Sequence, residues 1–164
     1  MYVDFYEKIS KPIRHLGNGA SALAWANRVL ACAMGAAFGG FALWLAIKLD
    51  PRLIRYLLVC ALAYIACTLI RDKLDRPRPY ELYPIDALIE KDTKGKSFPS
   101  RHVFSATIIS CALLWLSAPA GIAGFAATAA LAAIRVAGGV HFPRDVIAGI
   151  ALGLACGILG FWVI

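Results

Sequence analysis

Arg135, His141 and Asp145 stand in a fixed cadence, with five residues between the first two and three between the second pair, in a chain that is otherwise almost wholly apolar. An ionisable group at membrane depth is costly, so it is read as functional unless a structural partner explains it. A carboxylate four residues after a histidine, on one helical turn, can hold the imidazole by its ring N–H. That fixes which ring nitrogen stays free to attack or to take a proton. The guanidinium of Arg135 is a planar fork of donors that fits a phosphate. The competing structural reading is an Arg–Asp pair with a bystander histidine, so the other polar stretches must decide.

There are two such stretches. Arg71-Asp-Lys73-Leu-Asp-Arg-Pro-Arg78-Pro79 is basic at four of its nine positions before the final proline pair is complete, and its two prolines stop a helix. Alone it would pass for an ordinary basic helix end at a membrane surface. Ser97-Phe-Pro99-Ser100-Arg101-His102 opens an apolar run. Ser97 or Phe98 is the expected cap, with Pro99 in the first turn, where a missing N–H costs nothing. The backbone N–H groups of Ser100, Arg101 and His102 would then be free for an anion.

The elements that carry these residues follow from composition and hydropathy. The chain has 164 residues, 60% hydrophobic and 16% charged, with a mean hydropathy of +0.70. Soluble domains carry about a quarter charged residues, so this is the composition of a membrane protein, and the length suits one domain. The net charge of +7 sits at the ends of apolar runs, which points to lipid head groups or an anionic substrate and away from nucleic acid. The five cysteines form no C-x-x-C pair. They are read as small apolar packing residues, with no disulfide and no metal site.

Residues 1–27 place Tyr2, Phe5, Ile9, Ile13 and Leu16 at helical spacing, with Lys8, Lys11 and Arg14 between them. This predicts an amphipathic helix in the membrane interface, kinked or broken at Pro12, with His15 interfacial, and no signal peptide. Spans are predicted over 29–49, 53–70, 103–119, 122–137 and 143–164. Gly35 and Gly39 are expected to make a helix contact in the first. Asp50-Pro51 should be a turn, Arg55 should snorkel, and 80–96 should be a loop with a short helix around 85–90. Ala118-Pro-Ala-Gly121 should form a tight turn and Gly138-Gly139 a break. Gly149, Gly153 and Gly157 form a ridge for close packing on the last helix, whose first turn holds Asp145. The fold class is therefore an all-α integral membrane bundle of about five transmembrane spans plus the interfacial helix. Alternating crossings bring all three polar stretches to one side of the bilayer, and chance basic caps would not also supply two histidines and a carboxylate.

On these residues the chain resembles the type 2 phosphatidic acid phosphatase superfamily of membrane lipid phosphatases. Its first motif, Lys, six residues, Arg-Pro, falls on Arg71 and Arg78-Pro79, with arginine for lysine and Lys73 as a fallback donor. Its second, Pro-Ser-Gly-His, falls on Pro99-Ser100-Arg101-His102, with Arg101 for glycine. Its third falls on Arg135, His141 and Asp145, with Ile134 for the usual serine. The resemblance runs from about residue 54 to the end and implies a single domain, 1–164, in which 28–164 is the motif-bearing bundle. It implies that His141 is a nucleophile forming a phosphohistidine, oriented by Asp145, and that His102 is the general acid. Arg71, Arg78, Ser100, Arg101 and Arg135 would bind the phosphoryl group, with no metal and no cofactor. The substrate would be phosphatidic acid, phosphatidylglycerol phosphate or a polyprenyl (pyro)phosphate; membrane lipids are the other partner, and the sequence does not speak to oligomeric state. A phosphotransferase with the same site and a non-enzymatic anion transporter are the rivals; a soluble vanadium haloperoxidase is disfavoured by the spans. Of the 17 Lys and Arg residues, 14 fall on the motif side and three (Lys48, Arg52, Arg55) on the other. The positive-inside rule thus places the motif face, in a multi-pass cell-membrane protein, in the cytoplasm.

Overall fold

A computed structural model describes residues 1–89 and 93–164. Every regular element among them is helical: α1 (Tyr2–Arg14), α2 (Gly19–Ile47), α3 (Arg52–Leu74), the single-turn α4 (Pro79–Leu82), α5 (Arg101–Leu116), α6 (Ala118–Ala137) and α7 (Pro143–Ile158), continued by a π-turn over Leu159–Val163. Four stretches, 19–47, 52–82, 118–137 and 143–163, are long and apolar enough to cross a bilayer. The fifth expected span, α5, has only 16 residues, about 24 Å at the helical rise. It is the most enclosed helix, packed by α6, α7, α3 and α2, so its apolar surface meets protein more than lipid.

Small residues set how closely these helices approach. The ridge on α7 packs against α5: a Cβ on Gly149 would lie 2.9 Å from the Ser100 carbonyl oxygen, and one on Gly157 would lie 2.6 Å from Cys111. Gly121 does the same for α6, where a Cβ would come within 2.4 Å of Leu114. That is why α6 starts at Ala118, directly after Ser117, and the expected tight turn over 118–121 is instead its first turn. Gly35 and Gly39 depart from expectation too, because a Cβ on either meets nothing within 4 Å. No described helix of this chain uses them.

Cys60, Cys67 and Cys111 are buried among Tyr56, Phe104 and Ile108, and all five thiols are free. Arg55 does not simply reach for solvent: its Nε donates to the Gly160 carbonyl at 2.8 Å, a carbonyl in the π-turn, and its guanidinium lies 5.6 Å from the Trp115 ring.

The N-terminal segment divides earlier than its periodicity suggests. Pro12 lies in the last turn of α1 without breaking it. Exposed His15 caps that helix, and Gly19 already begins α2. α1 is amphipathic as expected, but its apolar face covers the chain itself. Buried Tyr6 accepts the Leu88 N–H at 3.1 Å and donates to the Asp86 carbonyl at 3.3 Å, and the Tyr2 ring packs 4.9 Å from Tyr83 and 4.8 Å from Phe142. In the 80–96 loop the short helix falls at Pro79–Leu82; residues 85–89 are not helical, and Glu90, the last residue of the expected helix, lies outside the described residues.

Candidate active site

α3 stops at Leu74, where Asp75 takes a left-handed conformation (φ 36°), three residues before Pro77. The extended Pro77-Arg78 that follows leads into α4, whose Glu81 fixes Arg78: one carboxylate oxygen accepts the Arg78 and the Gly95 N–H groups, both at 2.9 Å. The Arg78 side chain is buried, with Nε donating to the Gly95 carbonyl at 3.0 Å and Nη1 unpartnered. Arg71, one turn before the end of α3, is buried and donates through Nη1 to the Pro99 and Ser97 carbonyls. It thereby ties the first basic stretch to the second. Arg135, at the end of α6, is fully enclosed. Its Nη1 reaches Asn27 Oδ1 at 3.3 Å, while Nε and Nη2 have no partner. The three guanidiniums are close enough to repel one another.

Ser100, and not Ser97 or Phe98, is the residue that precedes α5; Pro99 joins Phe98 through a cis peptide bond and lies outside the helix. The Ser100 N–H is consequently not free: it donates to the Asp145 carbonyl at 2.9 Å. Its hydroxyl is buried with no partner. Two of the cationic candidates are exposed where the other three are buried, although Arg101 is close enough to repel the Arg71 guanidinium. Lys73 is exposed on the last turn of α3. Arg101 is also exposed, with its guanidinium 5.9 Å from the Tyr64 ring. His102 is half-buried in the first turn of α5.

His141 and Asp145 do not share a helical turn, because α7 begins only at Pro143 and Phe142 between them is extended. Asp145 accepts the Phe142 N–H at 3.1 Å and so caps α7, while the distance from its Oδ2 to His141 Nδ1 is 3.8 Å, too long for a hydrogen bond. Ser97 fills that gap. Its hydroxyl lies 2.5 Å from Asp145 Oδ2 and 3.3 Å from His141 Nδ1. A carboxylate can only accept, so the hydroxyl proton goes to Asp145 and a lone pair of Ser97 is left to accept Nδ1–H. That assignment leaves Nε2 unprotonated, with its lone pair available. Burial, the largest cause, pushes the His141 imidazole well below the usual histidine range; Arg135 and Arg78 push the same way and Asp145 opposes them. The ring is neutral near pH 7, the state a nitrogen nucleophile needs.

Sequence reasoning weighed Ser97 only as a helix cap and passed over Asn27. No local spacing marks either, since Ser97 lies 48 positions from Asp145 and Asn27 lies 108 from Arg135. The signal available for Asn27 was an amide just ahead of the apolar run at 29–49. Ser97 supplies a prediction. Ser97→Ala should lower kcat by about 10- to 100-fold, the usual cost of losing a group that orients a reacting side chain, and should leave KM nearly unchanged. An unaltered kcat would mean that Asp145 reaches the ring without the bridge.

The arrangement as a whole is a neutral imidazole facing buried, unpaired cationic donors. Among the described residues, the buried side-chain N and O atoms without a partner are Arg78 Nη1, Ser100 Oγ, Arg135 Nε, Arg135 Nη2 and the Oη of Tyr2, whose ring packs on Phe142. Comparison with known proteins identifies a family and two similar folds. The sequence pattern described as the PAP2 superfamily matches residues 52–164. LpxE of Aquifex aeolicus has a similar crystal structure, with a TM-score of 0.75 at 22% identity over 96% of this chain and 92% of that one. A PAP2-type phosphatidylglycerolphosphate phosphatase of Bacillus subtilis aligns with a TM-score of 0.57 at 21% identity, over 98% of this chain and 94% of that one. No curated protein matches the chain.

Proposed function

The chain belongs to the PAP2 superfamily of membrane phosphatases, and from that premise we propose that it hydrolyses a lipid phosphate or diphosphate at the membrane surface through a phosphohistidine on His141. The observation that carries the reading is the set of buried, unpartnered donors of Arg78, Arg135 and Ser100 around a neutral His141. Unsatisfied buried donors cost free energy. A phosphoryl group offers the acceptor oxygens that satisfy them, and its negative charge offsets the crowding of Arg71, Arg78 and Arg135.

In this mechanism His141 Nε2 attacks phosphorus, Ser97 and Asp145 hold the ring by Nδ1–H, and the developing imidazolium is stabilised through that bridge. The arginines and the Ser100 hydroxyl bind the equatorial oxygens as charge spreads over them. His102 gives its proton to the leaving oxygen and then takes one from the water that opens the phosphohistidine. In this reading the cations that hold the phosphoryl group are the guanidiniums of the chain itself, those of Arg71, Arg78 and Arg135. The distribution of Lys and Arg supports a cytoplasmic active-site face.

One experiment tests these statements together. Purified protein should release phosphate from phosphatidic acid, phosphatidylglycerol phosphate or a polyprenyl diphosphate in the presence of a strong chelator. In sealed membrane vesicles, release from added substrate should be confined to the inside-out preparation. A loss with chelator that magnesium restores would contradict the metal-independent mechanism, and release by right-side-out vesicles would reverse the orientation.

A further inference from the structure

α2 is longer than a bilayer requires. Its 29 residues run about 44 Å at the helical rise, where a hydrocarbon core takes about 30 Å. Its first turns therefore extend beyond the apolar run at 29–49, alongside the end of α6 that carries Arg135. The junction with α1 fixes that extension. The Gly19 N–H donates to the Leu16 carbonyl at 2.6 Å, and a Cβ on Gly19 would lie 1.9 Å from the Ile13 carbonyl oxygen. Asn27, in the third turn of α2, meets Arg135 there. It lies outside residues 52–164, which the family pattern covers.

The contact takes one nitrogen of the guanidinium and leaves a particular pair. Asn27 Oδ1 accepts from Arg135 Nη1 at 3.3 Å, and the nitrogens left without a partner are Nε and Nη2. Arginine carries only donors, so the amide oxygen must be the atom that faces it. In a guanidinium Nη2 lies on the side of the Nε–H, so those two N–H bonds run parallel along one edge. That edge matches two oxygens of a phosphoryl group. A single bond at Nη1 thus fixes the plane of the enclosed guanidinium and keeps its forked edge whole.

Resting on the phosphatase reading above, we propose that Asn27 is a positioning residue: its amide orients Arg135 so that the Nε–Nη2 edge takes two phosphoryl oxygens, and its neutrality keeps the charge of Arg135 for the substrate. An aspartate at position 27 has nearly the same shape and would hold Nη1 more strongly. It would also pair the guanidinium before a phosphate arrives, and repel the phosphate once it did. Alanine there would leave the charge and lose the orientation. Asn27 itself touches no reacting atom in this role; it acts through Arg135.

The test compares wild type, Asn27→Asp and Asn27→Ala, purified in detergent, by two readouts. One is the concentration of inorganic phosphate needed for a fixed rise in melting temperature, which requires no turnover. The other is kcat and KM on whichever of phosphatidic acid, phosphatidylglycerol phosphate and a polyprenyl diphosphate wild type hydrolyses fastest. Without phosphate, Asn27→Asp should melt no earlier than wild type. It should need about 10- to 100-fold more phosphate for the same rise, and lose about 10²-fold in kcat/KM. Asn27→Ala should lower kcat by about tenfold, with a smaller change in its response to phosphate. A merely structural contact predicts the reverse order, because aspartate keeps the bond that alanine loses. Wild-type turnover and phosphate response in Asn27→Asp would therefore overturn the proposal, and so would a wild-type kcat in Asn27→Ala. Should Asn27→Asp not fold, Asn27→Ala alone decides. Release from none of the three lipids by wild type would overturn the phosphatase reading itself, and the phosphate titration would still decide the role of Asn27.

Discussion

His141→Ala is expected to lower phosphate release by about 10⁴-fold or more, the scale on which enzymes lose turnover when a nucleophile is removed. His141 is 1% exposed and its main-chain N–H donates to the Arg135 carbonyl at 3.2 Å, a bond that alanine keeps. Folding should therefore survive, at the cost of a small cavity and a Ser97 hydroxyl with one partner fewer. Brief incubation with labelled substrate should leave an acid-labile phosphoryl group on wild type and none on His141→Ala. Near-normal turnover by the variant would end the mechanism. Asp145 cannot be tested so simply. Its carboxylate caps α7 through the Phe142 N–H as well as binding Ser97, so Asp145→Ala loses about 1 kcal/mol of helix capping along with catalysis. Asp145→Asn keeps an acceptor for both bonds and is the cleaner variant, with a milder loss expected.

The architecture was readable where one local rule dominates. Uninterrupted apolar runs of span length mark α2, α3, α6 and α7, and the prolines and glycines between them mark the reversals. Helix ends were read less well. Gly17-Asn18-Gly19 is a turn signal that the helical spacing of Tyr2 to Leu16 hid; the chain is so tight there that a Cβ on Gly19 would lie 1.9 Å from the Ile13 carbonyl oxygen. In α6 the opposite happened. Ala118-Pro119-Ala-Gly121 has the composition of a turn, yet proline suits a first helical turn and glycine suits a close crossing. Composition alone does not choose between those uses. The distance to a neighbouring helix does, and that is a tertiary fact.

The candidate site divides along the same line. Counting crossings was enough to bring Arg71, Arg78, Ser100, Arg135, His141 and Asp145 to one side, since parity needs only the number of spans. The details that parity ignores came out differently. The His141–Asp145 spacing suggested a shared helical turn, but Pro143 opens the helix after the histidine, and the pair is joined through Ser97 instead. Arg71 and Lys73 were both possible donors from sequence. One faces inward and the other lies exposed because positions two apart on a helix point in different directions. The amphipathic pattern of α1 gave its apolar face without saying what that face would cover. Tyr6 against the 86–88 segment shows that it is the chain's own loop.

Arg135 should show the opposite pull of stability and function. It is wholly enclosed; among the described residues its one side-chain bond is to an amide at 3.3 Å, no carboxylate pairs with it, and two of its nitrogens are orphaned. A buried charge without a counter-ion costs several kcal/mol, and replacing it with an apolar side chain of similar volume often stabilises a protein. Arg135→Met is therefore expected to unfold no earlier than wild type in phosphate-free detergent, and several degrees later if the full penalty is relieved. Its kcat should nevertheless fall by about 10²- to 10³-fold, as for loss of one donor aimed at transition-state charge. Added phosphate or vanadate should separate the two effects. A ligand that binds only the folded state raises its stability with concentration, so wild type should gain thermal stability as the anion satisfies Arg135, and the variant should gain far less. Thermal scans at a fixed rate, with and without the anion, check this directly. If Arg135→Met instead melts well below wild type and responds to phosphate as wild type does, Arg135 is a strut for the α6 end and not a phosphate ligand.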